Sequence, residues 1–148
     1  MKKLLIIALL VMSTLAKADS VNFGAVYDNN PTAGYSLTLQ KDWNNTYFIY
    51  ESQIGRVPDN TAYLNQLFSY GIKVGPTSLG LVGGAKFGAE NLSVNGVGGI
   101  ELGVTVPFYL GFEKPDESNF FLKSTTRELS DPNVGVNTQE VISLGVKF

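Results

Sequence analysis

Bulky apolar side chains recur at every second position through most of this chain, and the places between them hold glycine, small polar residues and a few charges. A period of two puts alternate side chains on opposite faces of an extended strand. A helix would need apolar residues at i, i+3, i+4 and i+7, and no sustained run of that kind follows Ala18. The pattern predicts an all-β chain. Val21, Phe23, Ala25 and Tyr27 alternate with Asn22, Gly24 and Val26, and Tyr35, Leu37 and Leu39 with Ser36, Thr38 and Gln40. In TYFIYESQI both faces begin bulky, but Glu51 and Gln53 mark the polar one and leave Phe48, Tyr50 and Ile54 opposite. Phe68, Tyr70, Ile72 and Val74 oppose Ser69, Gly71, Lys73 and Gly75; Leu79, Leu81, Ala85 and Phe87 oppose Gly80, Gly84, Lys86 and Gly88. The stretch from about 97 to 112 keeps Ile100, Leu102, Val104, Val106, Phe108, Leu110 and Phe112 in one parity, against Gly99, Glu101, Gly103, Thr105 and Gly111.

Between these runs lie DNNPTAG (28–34), a short turn at 42–45, GRVPDNT (55–61), GPTS (75–78), EKPDES (113–118) and the loop LSDPNVGVN (129–137), each with the Gly, Pro, Asn or Asp that reversals use. Consecutive hairpins without crossovers predict an antiparallel up-and-down meander. Pro107 decides the count, because proline cannot donate to a ladder and belongs at edges, bulges or turns. A turn there gives nine strands; a long strand kinked at Pro107 gives eight. Side-chain parity is unbroken across Pro107 and EKPDES is the stronger turn, so eight are expected, with a seventh near Phe120–Arg127 and the last in QEVISLGVKF, residues 139–148.

The first 18 residues read differently. Lys2 and Lys3 precede an apolar run from Leu4 to Met12 and then Ala16-Lys17-Ala18, the three regions of a cleaved secretory leader. The apolar run falls well short of the roughly 20 residues a spanning helix needs. The expected organisation is a signal peptide, 1–18, followed by one β domain, 19–148. Removing the leader takes Lys2, Lys3 and Lys17 from 11 basic residues that face 13 acidic ones, so the remaining domain is clearly acidic. An acidic chain without basic clusters has no means of gripping a phosphate backbone, and nucleic acid is not expected as a partner. The chain has no cysteine, which excludes a disulfide framework and a lipidated N-terminal cysteine.

A soluble barrel hides its apolar face; the glycines argue for the reverse. Gly24, Gly71, Gly75, Gly80, Gly84, Gly88, Gly99, Gly103, Gly111 and Gly145 share the polar face. Glycine weakens a strand exposed to water, but small residues fit the narrow interior that eight strands enclose. Glu51, Lys73, Lys86, Glu101, Lys123, Arg127 and Lys147 share that face, so they are predicted to point into the lumen and to pair there, since buried charges need partners. The apolar face would then meet lipid, where only a closed barrel pairs every backbone group. Spanning strands take about 9–11 residues, and eight of them fit within residues 19–148. Tyr27, Tyr35, Trp43, Phe68, Tyr70, Phe87, Phe108, Phe112 and Phe120 are expected toward strand ends, as interfacial girdles.

The leader, the lack of cysteine, the meander and a final strand ending ISLGVKF resemble the bacterial outer-membrane β-barrel proteins. That resemblance implies residence in the outer membrane, contact with its lipid and lipopolysaccharide, and recognition of the last strand by the barrel assembly machinery. Ile142, Leu144, Val146 and Phe148 would form the outward-facing signal and Gly145 a small inward position; Val146 departs from the family, in which an aromatic is frequent there. The glycine-rich middle, from KVGPTS to GGIELGV, is similar to the small barrels of the YfaZ-like group.

The chain has no histidine, so the commonest general base and metal ligand are missing along with the thiol. No catalytic residue, metal site or cofactor is expected. GVGG at 96–99 lacks the lysine and helix of a phosphate loop. Asp28, Asp59 and Asp116 fall in turns, where they cap backbone groups. Candidate external surfaces are 28–34, 55–61, 90–95 and 130–137, with no ligand identified by the sequence. Three functions follow: a non-enzymatic barrel with a structural or surface-interaction role; a narrow porin-like channel for small solutes; and a secreted soluble β-barrel that binds a ligand, with Phe68, Tyr70, Ile72 and Val74 facing inward. Deleting Phe148 should sharply reduce the heat-modifiable band of folded protein in outer-membrane fractions; an unchanged band would overturn the assembly role of the last strand.

Overall fold

The structure, a computed structural model, describes residues 18–28, 33–56, 62–88, 94–108, 119–131 and 135–148, with Ile6 alone ahead of them. The leader expected at 1–18 thus lies outside the described residues except for Ile6 and Ala18, as do Asp59, Leu110, Gly111, Phe112, Asp116 and the centres of the candidate external loops. Eight strands are described: β1 (Ser20–Asp28), β2 (Ala33–Trp43), β3 (Thr46–Arg56), β4 (Ala62–Val74), β5 (Thr77–Gly88), β6 (Val94–Phe108), β7 (Phe120–Asp131) and β8 (Gly135–Lys147). Each pairs antiparallel with the next, and β8 pairs back onto β1, so the sheet closes into an up-and-down barrel. The expected fold class and strand count are those found.

β6 runs straight through Pro107, which stands opposite Phe121 one position before the strand ends, where a missing N–H costs the ladder little. At the other end, β7 and β8 extend further into 129–137 than the turn residues predict, because Ser130↔Val136 and Asp131↔Gly135 continue the ladder. Backbone pairing sets that limit there, and polar side chains do not oppose it. Two tight reversals rely on left-handed residues: Asn44 (φ 52°) between β2 and β3, and Gly75 (φ 60°) between β4 and β5. Stepping between partners from Ser20 through Gln40, Ile49, Ser69, Val82, Gly99 and Leu129 to Asn137 ends beyond the last residue paired with β1. The stagger around the barrel therefore exceeds the nine residues of β1, which requires steeply tilted strands.

The wall is apolar outside and polar inside. Tyr70, Ile72, Val74, Leu79, Leu81, Ile100 and Leu102 point outward and are more than half or about half exposed. Asn22, Ser36, Thr38, Glu51, Gln53, Ser69, Glu101, Lys123, Arg127 and Gln139 are buried. The inward orientation required of a soluble barrel is thereby contradicted for Tyr70, Ile72 and Val74. The outer face is interrupted on β7 and β8, where Ser124, Thr126, Glu128, Ser130 and Glu140 are exposed. Phe68 sits in the middle of β4, opposite Tyr50, and packs between two rings of β3, centred 5.2 Å from Tyr50 and 6.1 Å from Phe48. The expectation that Phe68 belongs to a girdle at a strand end is corrected; alternation alone fixes a face and says little about height.

Inside, aromatic rings lie across glycines of neighbouring strands. A side chain at Gly71 would meet the Tyr47 hydroxyl at 2.8 Å, and one at Gly55 would meet the Tyr63 ring at 2.8 Å; Phe121 covers Gly145. Leu67, Val82 and Leu129 form a small apolar cluster beside Val97. At Gly84 and Gly99 the constraint comes from backbone: a Cβ would run into the carbonyls of Gln66 and Glu128, and would lie 2.9 Å and 3.1 Å from the Cα atoms of Leu67 and Leu129. The outward neighbours Gly83 and Gly98 have nothing closer than 3.8 Å and 3.9 Å. Gly84→Ala and Gly99→Ala should each cost about 1–3 kcal/mol through overpacking, whereas Gly83→Ala and Gly98→Ala should stay within about 0.5 kcal/mol; urea unfolding of the refolded barrel, followed by Trp43 fluorescence, separates the two pairs.

Candidate functional site

Three charges from three strands meet in the middle of the barrel. Arg127 on β7 stands directly across the ladder from Glu101 on β6, and its Nε donates to Glu101 Oε2 at 2.8 Å. Its other nitrogens reach across the interior to Glu51 on β3: Nη2 donates to Oε1 at 3.1 Å and Nη1 to Oε2, a two-pronged pairing. All three are at most 3% exposed.

Taking charges out of water is costly unless the remaining lone pairs are satisfied, and a shell of inward residues does this. Glu51 accepts from Thr38 Oγ1 at 3.0 Å and from Gln53 Nε2. Glu101 accepts from the Tyr47 hydroxyl at 2.8 Å and from Ser69 Oγ at 3.1 Å. Gln53 and Gln139 donate to each other at 2.9 Å and 3.1 Å, Asn65 donates to Gln53 at 3.1 Å, and Arg127 Nη1 donates to Gln139 at 3.3 Å. The network draws on β2, β3, β4, β6, β7 and β8.

The seven charges expected inside divide into one centre and two ends. Glu51, Glu101 and Arg127 are brought together. Lys123 is buried nearby, donates to Gln40 Oε1 at 3.1 Å and lies 5.7 Å over the Tyr47 ring. Lys73 pairs with Asp42 at 2.9 Å toward the end that holds the chain termini, and Lys147, 5.7 Å over Phe121, is at the same end. Lys86 is at the opposite end, 5.6 Å over the Tyr63 ring. Outside the first strand, Lys41 donates to Asp19 at 2.8 Å, and this ammonium, with the Asp42 N–H, holds the Asp19 carboxyl below its ordinary value.

Of the residues assigned to the last strand's signal, Ile142 and Leu144 point outward about half exposed, Val146 is partly covered opposite Val21 and Phe120, and Phe148 is exposed with its N–H donating to Asp19 O at 2.9 Å. Parity puts Thr38, Gln53 and Ser69 on the polar face without indicating that they serve one network; Asn65 and Gln139 were not singled out from the sequence, although they share the parity of Lys73 and Lys147 on their own strands. Tyr47, Tyr63 and Phe121 were also missed; the available signal was an aromatic in glycine parity beside a glycine-bearing strand.

Chemically, this arrangement holds the interior shut. Both carboxylates are fully engaged with one guanidinium and neutral donors, leaving neither as an available base. No group of three or more Asp, Glu, His or Cys able to hold a metal occurs among the described residues. Near the loop end, Ala25, Tyr27, Tyr35, Ile54, Ala62 and Tyr63 border an apolar cleft of about 570 Å³.

No family model matches this chain, and no curated protein matches it. Among solved structures it is similar to a chain described as a de novo design of transmembrane β-barrels, with a TM-score of 0.55 at 14% identity, over 87% of this chain and 93% of that one. The likeness is one of fold.

Arg127→Met should destabilise the barrel by about 3–5 kcal/mol, because it strands two buried carboxylates. Adding Glu51→Gln and Glu101→Gln to it should recover a substantial part of that loss. Urea midpoints of the refolded variants test both statements.

Proposed function

We propose that this chain is a small, non-enzymatic outer-membrane β-barrel with a structural or surface-interaction role, its interior closed to solute flow. The carrying observation is the Arg127–Glu51–Glu101 network, which ties opposite walls of the barrel together inside an apolar outer surface. In water that surface would expose a large contiguous apolar area; in hydrocarbon it is the solvated face, and closure leaves no unpaired edge. The leader expected at 1–18 would deliver the chain across the inner membrane, and the alternating face of β8 would be read by the barrel assembly machinery.

In this reading lipid and lipopolysaccharide surround the wall, and contacts with other molecules fall to the end carrying the 28–34, 55–61, 90–95 and 130–137 segments. The strand ends that flank them, Asp28 and Ala33, Arg56 and Ala62, Gly88 and Val94, Asp131 and Gly135, all lie at the end opposite the termini. The apolar cleft below Tyr27 and Tyr35 adds a concave feature to that end. The channel reading would require the Arg127 network to open, and nothing in its geometry favours that.

Cell fractionation tests the location: the protein should pellet with outer membranes and show heat-dependent gel mobility, and a freely soluble periplasmic protein would sink the proposal. The refolded barrel should be electrically silent in planar bilayers. A steady, ion-selective conductance would restore the channel, and Glu51, Glu101, Lys73 and Lys86 would then be the first substitutions to make.

A further inference from the structure

At the end that holds the termini, the interior opens into a cavity of about 400 Å³ lined by Gln40, Asp42, Lys73, Phe121, Lys123 and Lys147, with hydroxyls from Ser20, Thr77, Ser78 and Thr105. We propose that this vestibule is a binding site for a small oxyanion, a phosphate or pyrophosphate group being the chemistry that fits best.

Three ammonium groups line it against one carboxylate. Asp42 is already occupied, accepting from Lys73 Nζ at 2.9 Å and from Gln40 Nε2 at 2.8 Å. That leaves Lys123 and Lys147 without a direct carboxylate ion pair among the described residues, with Glu101 and Glu51 attracting the Lys123 charge only from further in. Lys123 is the decisive group. It is 6% exposed, yet its ammonium makes one hydrogen bond, to Gln40 Oε1 at 3.1 Å, and otherwise rests over the Tyr47 ring. An ammonium has three donors, and a buried charge held by one amide oxygen and a ring is under-satisfied. The open volume beside it is where an anion would supply the missing acceptors.

Depth sets the size of the ligand. Lys123 is the innermost charge of the lining, and Arg127, outside that lining, is committed to Glu51 and Glu101. A pocket of this volume is within the range for small-molecule sites, which run from about 300 to 1,000 Å³. Oxyanion oxygens spaced as in phosphate can bridge two ammonium groups and the neighbouring hydroxyls at once, which a single carboxylate does less completely. The phosphate could belong to a soluble metabolite or to a lipid headgroup, and the shared chemistry is the phosphoryl oxyanion.

The test uses the full-length barrel refolded in dodecyl maltoside, which carries no phosphate, and inorganic pyrophosphate as the calorimetric titrant at low ionic strength. Saturable one-to-one binding is expected, weakening as salt is raised. Lys123→Gln should weaken it tenfold or more and Lys147→Gln, at the exposed rim, at least threefold. Asp42→Asn should tighten it severalfold by freeing Lys73, while Lys86→Gln at the far end should leave it unchanged. Phosphatidylglycerol added to the micelles distinguishes the sources: competition with pyrophosphate assigns the site to a headgroup, and undiminished binding assigns it to a soluble phosphate. No saturable binding of either, or Lys147→Gln and Lys123→Gln binding as the unaltered chain does, would overturn the proposal.

Discussion

The guanidinium of Arg127 is the point on which the interior depends. It sits between two carboxylates that cannot both remain buried without it; Glu51 adds donors from its own strand and from β2, and Glu101 adds donors from β3 and β4 on the far side of the barrel. In most small domains an apolar core supplies cohesion and polar groups decorate the rim. Here the three-residue apolar cluster of Leu67, Val82 and Leu129 is minor beside the polar centre, and shape is specified by donors finding acceptors. An apolar outer wall makes that necessary, since it can drive insertion into hydrocarbon but cannot choose one arrangement of side chains inside.

The second device is steric. Tyr47, Tyr63 and Phe121 are large side chains in a narrow interior, and room for them comes from the absence of side chains on adjacent strands, at Gly71 and Gly80, at Gly34 and Gly55, and at Gly145. Gly84 and Gly99 serve the wall itself, permitting strands to approach so closely that a Cβ would strike a neighbouring carbonyl. Such approaches accompany the strong curvature of a steeply staggered eight-stranded barrel. Glycine on the inner face therefore has two causes, ring accommodation and close backbone approach, and they coincide at Gly71 and Gly34, where a Cβ would also strike the carbonyls of Leu79 and Ile54.

The faces of the strands were legible because a period of two survives any uncertainty about where a strand begins; Glu51, Gln53, Glu101 and Arg127 were all placed inside from parity alone. Strand ends were less legible, as at Ser130 and Asp131, because ladder pairing continues wherever a partner is present, whatever the side chain. Height was not legible either. Phe68 looks like an interfacial aromatic, but the register that puts it opposite Tyr50 is a property of two strands together. Nor does parity say which inward charges meet: Glu51 and Arg127 are far apart in sequence and not on adjacent strands, and only closure brings them within reach.

The β1–β8 seam differs in kind from the other ladders. Seven ladders join consecutive strands and each can form as a local hairpin, whereas Ser20↔Lys147 and its neighbours unite the most distant parts of the described domain. Loop-closure entropy falls heavily on that contact. Until it forms, the sheet keeps two raw edges and Glu51 stands apart from Arg127, so polar cohesion and edge removal arrive in one event. Folding of this barrel should accordingly be concerted at its final step, with partly closed sheets too poorly satisfied to accumulate.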